Sequence, residues 1–435
     1  MSGLAFTHAP PAARPLRFLL AAPAWGVVAG LMLALDPHAL AGRWSPSTIA
    51  LVHVLTLGVL GNAMLGSLLQ FLPVAASTPV RGARWLPLAH AALNLGLVLF
   101  VLAFHGLHAL LLPAALLLAA ALALVLVPPL PDLFRRGPQR LLRAGIGAAL
   151  VALAATALLG VVAAGLLRGH GALPLDQVVD AHAMSGGGWV LGLLAAVGSV
   201  TVPMFHGTPQ LAPRVQRAWT LAAVALPVAA ATARLCGAPA AVVALALALQ
   251  AGAFACAVLW LQWHAPHRRN PGLVRFWAVG CIALLLAALA ACATVAGVPG
   301  LEPATATLLA GVLALGIGVP LLATGMLLEI VAFIAWVDLR GRCPRGMRIP
   351  AVGRLQPEQA KRRALLAHLF AAVLLGLAVP VQALAVPAGI ALAGAHALSL
   401  ASLLRCLWRA RDFLRHPQAW RQLPVAGDVG AAGRP

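Results

Sequence analysis

Apolar residues run through this chain in blocks of about twenty, parted by short connections rich in Pro, Gly and Arg. A helix rising about 1.5 Å per residue needs about that many residues to cross the hydrocarbon layer of a bilayer. The blocks predict twelve membrane-spanning helices, at about 18–35, 48–72, 85–105, 107–127, 142–167, 180–204, 218–236, 239–263, 273–297, 304–336, 364–385 and 388–408. Residues 1–15, short and rich in Pro and Ala, are expected to be disordered. Residues 16–410 form one polytopic domain with a long basic loop at 338–363, and 411–435 form a basic tail. The first apolar block is longer than the core of a secretory signal peptide, which makes it a retained helix even though Ala39-Leu40-Ala41 has the form of a cleavage site.

Composition agrees with this pattern. The chain is 62% apolar and 9% charged, where soluble domains run near 45–50% and about 25%. A formal charge of +20 would suggest a nucleic-acid partner in a soluble protein. Here the basic residues instead alternate from loop to loop. All but Arg43, Arg168 and Arg234 of the 30 Lys and Arg fall at the termini or in every second connection. This is the positive-inside pattern, so both termini are expected in the cytoplasm and the partner is the lipid bilayer, not nucleic acid. The loop Asp338–Arg363 carries eight basic residues and reads as lying on anionic headgroups. Trp408 and Trp420 read as interfacial anchors. The six cysteines form no C-x-x-C pair, which removes a zinc knuckle and covalent c-type haem; each reads as a small buried hydrophobe.

Two segments share a plan. His53 stands 20 positions before Pro73 and 26 before Pro79; His182 stands 21 before Pro203 and 27 before Pro209. In the expected topology both helices run from outside to inside, which puts both histidines in the outer third of the membrane. Ionisable residues inside a bilayer are costly and therefore functional candidates. Neutral imidazole suits the axial positions of b-type haem, and also copper. Gly58, Gly61 and Gly66 on one helix and Gly186, Gly187, Gly188 and Gly192 on the other offer room for a haem plane, or alternatively close helix packing. His396, near mid-membrane, is a further cofactor candidate, and His105 and His108, at an external helix end, are metal candidates. His90, His368, His206, His264 and His267 fall toward the cytoplasmic side. Glu329 is the one acid well inside a predicted span, a candidate for proton or ion handling or for pairing with a loop cation. Asn62, Gln70, Asn94, Gln250 and Gln382 are expected to hydrogen-bond between helices, and Met64, Met184 and Met204 to pack or to offer soft sulfur.

The twelve-helix plan, with the segments His53–Pro73 and His182–Phe205, resembles the subunit I class of haem-copper oxidases and is similar to the NnrS-type haem- and copper-containing membrane proteins. The resemblance implies a haem-copper-oxidase-like bundle in which His53 matches an early-helix ligand of a low-spin haem and His182 a ligand opening a sixth helix. It also implies b-type haem, copper and a periplasmic redox partner. The chain has no tyrosine and no adjacent His-His pair, so the resemblance implies haem binding rather than dioxygen reduction. The expectation is a multi-pass protein of the bacterial inner membrane handling electrons, nitric oxide or a metal. The alternative is a secondary transporter of a small solute or ion.

Overall fold

The computed structural model describes residues 8–422, apart from 268 and 301. All regular structure among them is helical. We number the long helices α1 (Ala13–Leu35), α2 (Pro46–Ala75), α3 (Ala83–Phe104), α4 (His108–Leu126), α5 (Arg140–Leu167) and α6 (Leu175–His206). These are followed by α7 (Pro213–Leu235), α8 (Ala241–Trp263), α9 (Pro271–Val295) and α10 (Pro303–Arg342). The last two are α11 (Glu358–Ala378) and α12 (Ala385–Arg415).

Eleven helices among the described residues are long and apolar enough to cross a membrane. The expected span at 364–385 is α11, which starts earlier and ends earlier. Its first turns carry Glu358, Lys361, Arg362 and Arg363, leaving too short an apolar stretch to count with the eleven. Exposed Leu95, Leu158, Leu221, Leu249, Leu289 and Phe370 give the bundle an apolar outer surface of the kind lipid requires.

Helix α1 begins inside the segment expected to be disordered, and residues 1–7 lie outside the described ones. Of the tail, 411–415 extend α12, Pro417–Gln422 form a short helix, and 423–435 lie outside the described residues. Trp408 is exposed, but Trp420 folds back to donate to Asp412 Oδ2 at 2.8 Å. Only Cys281 and Cys406 are buried; Cys236, Cys256 and Cys292 sit exposed on or at the end of helices, which corrects the expectation for them.

Helix α2 is the centre of the bundle. In its most apolar stretch 72% of the residues are buried, against 17% for α5 and α7. It opens as an α-helix, widens to a π-helix over Val54–Gly61, and returns to α geometry through Pro73. Helix α10 contains a second π segment, Val312–Gly318, and the two π segments meet. Helices α1 and α12 approach each other backbone to backbone. A Cβ on Gly30 would lie 2.3 Å from the Ala393 nitrogen, and one on Gly389 2.5 Å from the Ala34 nitrogen. Gly26, Gly30 and Ala34, four apart, thus form a small-residue seam that lets two helices touch by backbone.

Candidate functional site

The sequence repeat becomes a spatial pair. The rings of His53 and His182 face each other with centroids 6.0 Å apart and planes inclined by 21°. Two turns of chain chemistry set this up. His53 is the last residue before the π segment of α2, and its Nδ1 lies 2.7 Å from the Ile49 carbonyl oxygen. His182 is two turns into α6, and its Nδ1 lies 2.8 Å from the Thr156 carbonyl of α5. A carbonyl only accepts, so in each ring Nδ1 carries the proton and donates, and Nε2 keeps its lone pair. An outward-facing Nε2 with Nδ1–H fixed on a carbonyl is the arrangement that orients a ligating histidine.

The surroundings hold the rings from behind. Phe100 of α3 lies 4.4 Å, centroid to centroid, from His53 and is followed by Phe104 at 4.9 Å. Gly160 of α5 leaves room for His182, since a Cβ there would come 3.1 Å from its Cε1. Helices α2 and α6 do not pack closely on each other; each leans on other neighbours, and the rings reach across the gap between them. The two helices run parallel, because the histidines near their starts meet while Met64 and Met204, near their ends, line one cavity.

Just outside the pair lies a charged clamp that sequence reading missed. Asp180 accepts from Arg43 Nη2 at 2.7 Å and from Arg234 Nε at 2.8 Å, and Arg234 also donates to Asp176 Oδ2 at 2.5 Å. Asp180 and Arg234 are both buried. Two of the three basic residues that broke the loop alternation are therefore employed here, tying the start of α6 to α7 and to the α1–α2 connection. Their exceptional positions were the available signal.

The other candidates separate from the pair. His105 and His108 lie exposed at the α3–α4 turn, with Nδ1 on the carbonyls of Val101 and Ala103 respectively. No group of three or more His, Cys, Asp or Glu among the described residues is placed to hold a metal ion. His396 is buried elsewhere, against Gly26 of α1, with neither ring nitrogen partnered. Its neighbour is His368, 4.8 Å away by ring centroids and edge-on, whose Nε2 lies 3.0 Å from Ser399 Oγ. The two therefore share one depth, against the expectation that put His368 near the cytoplasmic end. Glu329 is buried and bonded to Lys361 of α11, which also binds Glu358 at 2.7 Å. It is a member of a buried ion pair. Asn62 and Asn94 do meet, at 3.4 Å, and Trp25 donates to Asn94 at 2.5 Å, whereas Gln250 has neither side-chain atom partnered.

The glycines turn out to seat neighbouring helices. A Cβ on Gly187 would strike Leu247, one on Gly188 would press on Pro227, and ones on Gly58 and Gly66 would meet Trp25 and Leu19. The pair offers two imidazole nitrogen donors, and the glycines form no slot beside it. Comparison with protein-family models and with curated proteins returns no match.

Proposed function

We propose that this chain is a haem-binding multi-pass protein of the bacterial inner membrane, with His53 and His182 as the two axial ligands of one b-type haem. The observation that carries the reading is the facing imidazole pair, its Nδ1 atoms anchored and its Nε2 atoms free. The chain offers two imidazoles here, and no group of three or more His, Cys, Asp or Glu among the described residues is placed to hold a metal, which favours a group that would bring further donors of its own. When bound, the haem supplies one-electron chemistry. The chain's own work is to fix both tautomers through the Ile49 and Thr156 carbonyls, to wall the rings with Phe100, and to hold the entrance by the Asp180 clamp. With both axial positions filled, electron transfer is favoured over nitric oxide or metal handling. The donor or acceptor would be a periplasmic redox partner, because a topology of twelve crossings with cytoplasmic termini would put the pair near the outer face.

The reading as a secondary transporter rests on the two meeting π segments, but its one membrane-embedded acid, Glu329, is occupied by Lys361. A pyridine haemochrome assay on protein purified from haem-sufficient cells tests the proposal. It predicts one haem b per chain; protein that is folded and free of haem would refute it.

A further inference from the structure

A second feature lies between the same two helices, nearer their C-terminal ends. A partly open cavity of about 120 Å³ is lined by α2 and α6 together with α9 and α10. A single water needs about 10–15 Å³ of such space, so this one has room for a larger molecule. Its lining is apolar and contains no charged side chain, which excludes an ion as the occupant.

Two polar groups break the apolar wall, Ser67 and Gln70, three apart on one face of α2. Gln70 is buried and its Nε2 has no hydrogen-bond partner. Among the described residues nothing bonds to the Ser67 hydroxyl either. Buried donors are nearly always satisfied, so the unpartnered Gln70 Nε2 in the cavity wall calls for an acceptor that enters the cavity, with the half-buried Ser67 hydroxyl one turn away. Thr201, across the cavity, already donates to the Val197 carbonyl at 3.2 Å, and Trp277 donates its indole N–H to Leu322 at 3.1 Å. Trp277 therefore offers the cavity only its ring. Met64 and Met204 add two thioethers, which favour contact with flat conjugated systems.

We propose that this cavity binds a neutral, membrane-soluble carbonyl compound of the quinone class, its ring among Met64, Met204 and Trp277 and one oxygen accepting from Gln70 and Ser67. The donors fix the acceptor end, the absence of charge selects a neutral molecule, and the sulfur and indole groups select a planar one. The proposal does not depend on the histidine pair, which lies about ten residues, roughly 15 Å, further along both helices.

The test is saturable quenching of tryptophan emission when full-length protein in detergent is titrated with decylubiquinone, with decylbenzene, which does not itself quench, as a competitor of equal tail lacking the carbonyl. We expect one decylubiquinone per chain, bound at least tenfold more tightly than decylbenzene. Gln70→Leu should weaken decylubiquinone about tenfold and leave decylbenzene unchanged. Ala323→Phe, which fills the cavity, should abolish both, in protein whose thermal transition and haem content match the wild type. His53→Ala should still bind decylubiquinone, so failure of the haem reading and failure of this one are separable. Equal affinity for the two probes, unsaturable quenching, or unchanged binding by Gln70→Leu would overturn the proposal and make the cavity an ordinary hydrocarbon void.

Discussion

At the scale of the residue, the account depends on which imidazole nitrogen is free. The Ile49 and Thr156 carbonyls decide it for His53 and His182, and neither carbonyl is recognisable in the sequence, because any residue supplies one. Gly160 tests the orientation of His182 without touching its chemistry. Gly160→Val should tip the ring off Thr156 and lower haem occupancy severalfold, whereas Gly165→Val, where a Cβ would meet only His170 at 3.9 Å, should not; haem-to-protein ratios of the two variants decide. The clamp gives a stability prediction. Removing one partner of a buried ion pair costs up to about 3–5 kcal/mol, and Arg43, which still holds Asp180 when Arg234 goes, keeps the loss below that ceiling. Arg234→Met should therefore lower the thermal transition far more than Arg168→Met, since Arg168 is exposed. Sequence reading found the two histidines by their repeated context and could not find Asp180, whose importance arises only where α6, α7 and the α1–α2 connection converge.

At the scale of the element, the repeated plan from histidine to proline was legible because it is carried by single spacings along helices, and both prolines stay inside their helices. The use of the glycines was not. A glycine run is the same in sequence whether it faces a cofactor or a neighbouring helix, and only the positions of Leu247, Pro227, Trp25 and Leu19 settle it. The α1–α12 seam carries the sharpest prediction of this kind. Gly30→Leu would place a side chain against the Ala393 backbone, and overpacking of this sort costs about 1–3 kcal/mol or forces the helices apart. Gly394→Leu on the facing helix α12, with open space at its Cβ, is the control, and thermal unfolding in detergent is the readout. Among the connections, Asp132 accepts two bonds from Arg81, and that bonding holds its carboxyl below the ordinary value of 3.8, with Arg135 and Arg143 adding to the effect. A depressed acid stabilises the fold above its unfolded pKa and loses that contribution as pH falls through the lower, folded value. Asp132→Asn should thus flatten the acid limb of stability below pH of about 4, measured by unfolding from pH 2.5 to 5, and a limb identical to wild type would remove the pair from the account.

At the scale of the whole molecule, an all-helical multi-pass bundle was readable from apolar run lengths alone, because the bilayer admits so few solutions. Helix α11 was harder to place: its basic first turns put Lys361 into a buried bond with Glu329, joining what the sequence divides into loop and span. The proposed orientation has its own check. Cys236 follows α7 and is exposed, while Cys343 ends α10 at the start of the long basic loop. A membrane-impermeant maleimide on intact spheroplasts should label Cys236, and should reach Cys343 only after lysis. Labelling of Cys343 in intact spheroplasts would reverse the topology and move the histidine pair to the cytoplasmic face. The central claim, that two helices meet through a pair of ligating histidines, is tested most directly by reduced-minus-oxidised visible spectra of purified wild type, His53→Ala and His182→Ala. The account predicts a sharp b-type band pair in the wild type that either substitution removes, with His396→Ala leaving it intact. Bands that survive both substitutions, or a wild type without bands when expressed with ample haem, would contradict it.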